Sequence, residues 1–320
     1  MALFDLPLAE LRQHRCATPE PTDFDAFWAA TLDEARRLAA PAVLSPVDTG
    51  LRAVDTTDVT FTGFGGQPVK AWLNRPAGVE GPLPVVVEFI GYGGGRGYPH
   101  DWLLWSAAGY AHLVMDTRGQ GGGWRAGDTP DPDGSGPQTP GFLTRGVLDP
   151  QTYYYRRLIT DAVRAVETAR ALPFASGVLV SGISQGGGLA LAAAGLSSPG
   201  DLAGVIAGVP FLCDIRRAVT ITDRAPYAEF AAFCRLNPSR AALALSTVDY
   251  VDGAHFAARI TAPALLSAAL MDLTCPPSTV FAAYNALRGP KELELYEWDG
   301  HDGGQGHFSS RAVAFANALV

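Results

Sequence analysis

Gly177-Val178-Leu179-Val180-Ser181 runs directly into Gly182-Ile183-Ser184-Gln185-Gly186, which runs directly into Gly187-Gly188-Leu189-Ala190-Leu191-Ala192-Ala193-Ala194. An apolar strand pattern, a G-x-S-x-G turn and a small-residue helix pattern in that order form a nucleophile elbow. The tight strand-to-helix turn lifts the Ser184 hydroxyl above the sheet, and glycines two positions to either side keep side chains out of the crowded turn. Glycine supplies 36 of the 320 residues, so the five-residue match is decided by its surroundings. It stands at a strand-to-helix junction, with a candidate acid and histidine following in the order Ser, Asp, His.

Before the elbow, Phe24, Phe27, Trp28, Leu32 and Leu38 mark an amphipathic N-terminal helix lying on the main body. Val59–Phe61 and Val69–Trp72 flank Gly65-Gly66 as a β-hairpin. Val85–Ile90 reads as a buried strand ending in the glycine run Gly91–Gly97, followed by a helix over Trp102–Ala108 and a strand over Ala111–Met115. The stretch Arg118–Asp149 is rich in Gly, Pro and Asp and is too long for a plain connector, so it is expected to be a loop near the site. Asp149 as N-cap and Pro150 at the first helical position predict a helix through Leu172. After the elbow the pattern gives a strand at Val205–Val209 and an irregular insert from Pro210 to about Ile260. A strand at Ala264–Met271, a helix at Ser278–Leu287, a strand at Glu292–Trp298 and a helix from Ser310 to Leu319 complete it. Strands alternating with helices predict an α/β domain with a mostly parallel sheet flanked by helices. The whole chain, 1–320, is expected to be one such domain, with 1–50 as an extension packed on it.

A serine hydroxyl is a weak nucleophile near neutral pH and needs a base in reach and a third group to orient that base. His301, in a glycine-flanked turn after one late strand, and Asp272, at the end of the strand before it, would converge on Ser184 from consecutive strand ends. His307 competes for the histidine role and Asp302 for the acid, although immediate neighbours such as Asp302 and His301 rarely point at each other productively. His112 lies inside a strand and reads as a packed histidine. Backbone N–H groups that stabilise the oxyanion are expected at Gln185, just after the nucleophile, and at Tyr92 in the glycine run. Gly91-Tyr92-Gly93 also suggests a dinucleotide fingerprint, but Arg96 occupies the place of its third glycine.

A net charge of −8 and a pI near 5.2 argue against a nucleic-acid surface, which needs clustered Lys and Arg. Cys16, Cys213, Cys234 and Cys275 are scattered without a C-x-x-C pair. That pattern argues against a zinc site or disulfide framework and fits reduced thiols in a cytoplasm. Asp5 and Glu10 interrupt any signal-peptide pattern, and no apolar run is long enough to span a membrane. No metal or organic cofactor is expected.

Arg118-Gly119-Gln120, the elbow and the late His301 together resemble the signature of the cephalosporin-C deacetylase and acetyl xylan esterase family, carbohydrate esterase family 7. Thr144–Asp149, Tyr153–Arg157, Val209–Cys213 and Cys275–Thr279 extend the likeness over most of the chain. The resemblance implies an α/β-hydrolase fold and deacetylation of small acetylated sugars and cephalosporin C. It implies triad roles for Ser184, Asp272 and His301, oxyanion donors at Tyr92 and Gln185, and structural roles for Arg118 and Gln120. Phe211, Pro226 and Thr274 match positions that shape a small acyl pocket. Family members assemble as homohexamers, dimers of trimers whose sites face an internal cavity. Where the family has Glu after the late histidine, this chain has Asp302. The rival readings are a longer-acyl esterase or peptidase on the same fold, a non-catalytic sugar-binding or scaffold protein, and, more distantly, a dinucleotide oxidoreductase.

Overall fold

The computed structural model describes residues 3–133 and 136–320, so two residues of the long loop lie outside it. Nine strands form its frame: β1 (Val43–Val47), β2 (Val54–Thr62), β3 (Pro68–Pro76), β4 (Leu83–Phe89), β5 (Ala111–Met115), β6 (Ala175–Ile183), β7 (Gly204–Gly208), β8 (Ala264–Ala269) and β9 (Lys291–Tyr296). Helices α1 (Leu8–Leu11), α2 (Phe24–Arg37) and α3 (Leu104–Ala107) precede the long loop. The helices that build the site and its surroundings are α4 (Tyr154–Arg170), α5 (Gln185–Gly195), α6 (Ile215–Ile221), α7 (Tyr227–Leu236), α8 (Ala241–Val248), α9 (Gly253–Ala257), α10 (Pro277–Ala286) and α11 (Gln305–Asn317).

In space the strands run β1-β2-β3-β5-β4-β6-β7-β8-β9. The first three and the β3–β5 junction pair antiparallel. Every pair from β5 through β4 to β9 is parallel. Side chains alternate between faces along each strand. Val86, Leu179, Ile206 and Leu265 therefore meet Trp105, Phe308 and Phe315 on one face. Their neighbours Val85, Val87, Val178, Val180 and Leu266 pack toward α4, α5 and α9 on the other. Burial on both faces is why these strands read as unbroken apolar runs.

The hairpin forms as expected, with Phe61 paired to Val69 and Val59 to Ala71. Helix α2 lies against the body through Phe24, Trp28 and Leu32, with the Trp28 Nε1–H donating to Tyr250 O at 2.9 Å. Among the described residues no helix is long and apolar enough to cross a membrane, and all four cysteines are free.

Four expectations need correction. The helix expected from Asp149 starts at Tyr154. The Asp149 carboxylate accepts from Gln151 N–H at 2.8 Å and the Asp149 carbonyl from Thr152 N–H, so Asp149-Pro150 opens a turn instead of capping a helix. The insert after Pro210 is not irregular but carries α6 to α9. The last helix begins at Gln305 rather than Ser310, because Gly304 at φ 89° turns the chain directly into it. An edge strand, β1, stands where none was read; it contains Pro46 and is largely exposed, as edges tolerate.

Candidate active site

The elbow is built by close approach. Ser184 has φ 58° and ψ −120°, a conformation uncommon outside glycine. Backbone bonds hold it there: Ser184 N–H donates to Gly208 O at 2.9 Å, and Ser184 O accepts from Phe211 N–H at 2.9 Å and Gly188 N–H at 3.0 Å. A Cβ at Gly182 would stand 2.3 Å from the Gly186 backbone, and one at Gly186 would stand 2.1 Å from Phe89 O. These two glycines let α5 press onto the ends of β4 and β6.

His301 Nε2 lies 2.9 Å from Ser184 Oγ, and His301 Nδ1 lies 2.8 Å from Asp272 Oδ2. The structure thus brings together all three residues expected from the sequence. Asp272 is fully buried, and its other oxygen accepts from Thr274 N–H at 2.8 Å and Cys275 N–H at 2.9 Å. Those two donors fix the rotation of the carboxylate. His307 and Asp302 are exposed in the α11 region. His112 is buried in β5 against the Trp102 ring, its Nε2 2.8 Å from Glu88 Oε2.

The Tyr92 segment follows β4, and the register Phe89 to Gly182 brings it beside the elbow. Side chains clamp it. Ile90 O accepts from Gln185 Nε2 at 3.1 Å, Gly93 N–H donates to Gln120 Oε1 at 2.6 Å, and Tyr92 O accepts from Trp124 Nε1 at 2.9 Å. Gln120 Nε2 in turn donates to Gln185 Oε1 at 2.9 Å, which also accepts from Tyr155 OH at 3.0 Å. Gln185 N–H opens α5, where the helix macrodipole favours negative charge. Among the described residues neither it nor Tyr92 N–H is engaged in a backbone or side-chain hydrogen bond outside the regular elements. Two free donors on a pre-fixed frame beside a Ser–His pair suit an oxyanion.

A model of the acetyl xylan esterase family matches residues 1–319. The chain belongs to that family. An acetyl xylan esterase from Paenibacillus sp. R4 superposes with a TM-score of 0.92 at 38% identity, covering 98% of this chain and 100% of that one. Acetyl xylan esterase 1 from Thermoanaerobacterium sp. JW/SL YS485 gives 0.90 at 33% identity, covering 99% of both. The acetyl esterase Axe7A of Xylanibacter ruminicola is 30% identical over 286 residues, 86% of this chain; the match spans 62% of that relative's length. The expected α/β-hydrolase fold is the fold observed.

In this acetyl xylan esterase family member Ser184 and His301 open into a cavity of about 480 Å³; Tyr92 lines it, and so do Pro226 and Thr274 of the residues assigned to a small acyl pocket. Phe211 does not. It is fully buried behind the wall, its ring 4.6 Å from that of Tyr227 and 6.1 Å from that of Tyr92. Arg118 is buried and tied by Nε and Nη2 to Asp161 of α4 at 2.5 and 2.8 Å, which anchors the long loop. The donor atoms of Asp272, Cys275 and His301 lie within 4.8 Å of one another. They do not suit a metal: Asp272 and His301 are bonded to each other, and burial pushes the Cys275 thiol well up, away from the thiolate a soft metal needs.

Two neighbours escaped the sequence reading. Trp124 belongs to the loop and stands in the cavity wall. Glu229, on α7, accepts from Tyr92 OH at 2.6 Å and from Leu143 N–H at 3.3 Å. Burial pushes its carboxyl above the ordinary range against the lowering effect of those bonds. Glu229→Ala is expected to lower kcat about tenfold with a smaller change in KM, because a Tyr92 hydroxyl that keeps only the bond it accepts from Phe142 N–H, and has lost its acceptor, lets the donor segment move. Glu229→Gln, which still accepts, should lose only a few-fold. Steady-state kinetics of both variants check this, and an unchanged kcat in Glu229→Ala would show that the segment is held without it.

Proposed function

We propose that this chain is a serine acetylesterase that removes acetyl groups from small acetylated carbohydrates, xylo-oligosaccharides among them, and from cephalosporin C. The observation that carries the reading is the Ser184 Oγ, His301 Nε2, His301 Nδ1, Asp272 Oδ2 chain, with links of 2.9 and 2.8 Å. His301 Nε2 takes the Ser184 proton as Oγ bonds to the acetyl carbonyl carbon. The oxyanion forms toward the Gln185 and Tyr92 N–H groups. The sugar oxygen then leaves with the proton from His301, giving the acetyl-enzyme. His301 next deprotonates a water that attacks the acetyl carbon, and Ser184 Oγ departs with that proton as acetate is released. Asp272 holds the imidazole tautomer and stabilises the imidazolium. No step calls on a metal or organic cofactor.

The family likeness supports acetyl as the acyl group, and Pro226 and Thr274 beside Ser184 are its candidate pocket. The same likeness supports a homohexamer, a dimer of trimers, around these sites, and the four free cysteines fit a cytoplasmic location. The expected result is release of acetate from acetylated xylo-oligosaccharides, with octanoyl esters at least about a hundredfold poorer in kcat/KM. Chromatographic acetate assay and a series of acyl chain lengths check it. Equal turnover of octanoyl esters would move the reading to a longer-acyl esterase.

A further inference from the structure

The Gly91–Gly97 run and the long loop each contribute one surface to an unusual arrangement. The Trp124 indole lies on the backbone of the glycine run. A Cβ at Gly94 would stand 2.5 Å from Trp124 Cε2 and Cζ2, and one at Gly91 would stand 3.5 Å from Cζ2. The indole N–H is fixed to Tyr92 O at 2.9 Å. Yet the side chain is 54% exposed, in the wall of the cavity that holds Ser184 and His301. The Arg125 guanidinium, also in that wall, lies 5.1 Å from the Trp124 ring centroid and 4.2 Å from that of Trp102.

An apolar ring that is immobilised on one side and bare on the other has a purpose that core packing does not supply. Its π face is electron-rich and meets polarised C–H groups well. The adjacent guanidinium offers several N–H donors in a fixed plane. A pyranose presents that pair of features: a flat face of ring C–H bonds and a rim of hydroxyls. We propose that Trp124 is the platform on which the sugar ring of the leaving alcohol stacks while its acetyl group reaches Ser184, with Arg125 donating to the ring hydroxyls. This rests on the acetylesterase reading above. It assigns the selection of a carbohydrate over a simple alcohol to the glycine-bedded indole.

Because Trp124 also bonds Tyr92 O, its loss will slow every substrate to some extent, so the test reads a ratio. The kcat/KM values for acetylated xylobiose and for ethyl acetate, which has no ring, are measured for wild type, Trp124→Ala and Trp124→Phe. Trp124→Phe deletes the indole N–H and keeps a flat face; Trp124→Ala deletes both. The sugar-to-ethyl-acetate ratio is expected to fall about tenfold in Trp124→Ala, mainly through the sugar's KM, and to stay within about threefold of wild type in Trp124→Phe. Equal losses on both substrates in Trp124→Ala would overturn the platform and leave only the bond to Tyr92 O. A wild type that hydrolyses ethyl acetate but no sugar acetate would overturn the carbohydrate reading itself, and the platform with it.

Discussion

Ser184→Ala is expected to cut turnover of acetyl esters by about a million-fold in kcat while leaving the melting temperature within a few degrees of wild type. The elbow is held by backbone groups, Gly208 O, Phe211 N–H and Gly188 N–H, none of which the substitution touches. Alanine keeps the Cβ and therefore the same constraint at φ 58°. What disappears is the oxygen 2.9 Å from His301 Nε2. The two candidate oxyanion donors remain, so a residual acceleration of about 10³ over water is expected to survive. Acetate release and thermal melting of the same preparation check both halves. Activity above about one per cent of wild type would mean that another group performs the attack.

The parts of this molecule that were legible in the sequence are those whose cause is local. Val85–Ile90, Val178–Val180 and Ala264–Leu266 are strands buried on both faces, and such strands announce themselves as apolar runs. The elbow was legible because its glycines answer contacts within the motif and with the adjacent strand end. Asp272 and His301 followed from strand ends, since consecutive parallel strands deliver their loops to one edge. The start of α4 was misplaced because Asp-Pro suits a helix cap and an Asx turn equally, and the contact that decides, Tyr154 N–H to Arg145 O at 3.0 Å, belongs to the preceding loop. The helices of the insert are short, and their apolar residues face both the core and one another, which blurs the helical period. Glu229 and Tyr92 are 137 positions apart, and nothing near either residue indicates the other. Trp124 lies in a stretch read as a loop near the site, and it does line the cavity, but its bed is the glycine run some 30 residues earlier, and only the folded chain brings them together.

Asp272→Asn is nearly isosteric, and the geometry indicates which way the asparagine will turn. Asp272 uses one oxygen to accept two backbone N–H groups, from Thr274 and Cys275, and the other to accept from His301 Nδ1. If the asparagine pointed its NH₂ at Thr274 and Cys275, donors would face donors in a fully buried site, leaving two N–H groups unsatisfied at about 1–3 kcal/mol each. The favoured rotamer therefore keeps the carbonyl oxygen on those N–H groups and turns the NH₂ toward His301. An NH₂ there can only donate, so His301 Nδ1 must accept and the ring proton moves to Nε2, the atom that takes the proton of Ser184 in the proposed mechanism. The base is then blocked by its own tautomer, and the imidazolium loses its countercharge. A fall in kcat of about 10⁴ is expected, with KM changed only a few-fold and the fold retained. Asp272→Ala serves as the comparison: it removes the acceptor without supplying a donor, frees the tautomer, and should retain more activity than its larger structural defect suggests, while melting lower because Thr274 and Cys275 N–H lose their partner. Kinetics and melting curves of the two variants side by side are the measurement. Near-normal turnover in Asp272→Asn would remove Asp272 from the tautomer-setting role and return Asp302 to consideration.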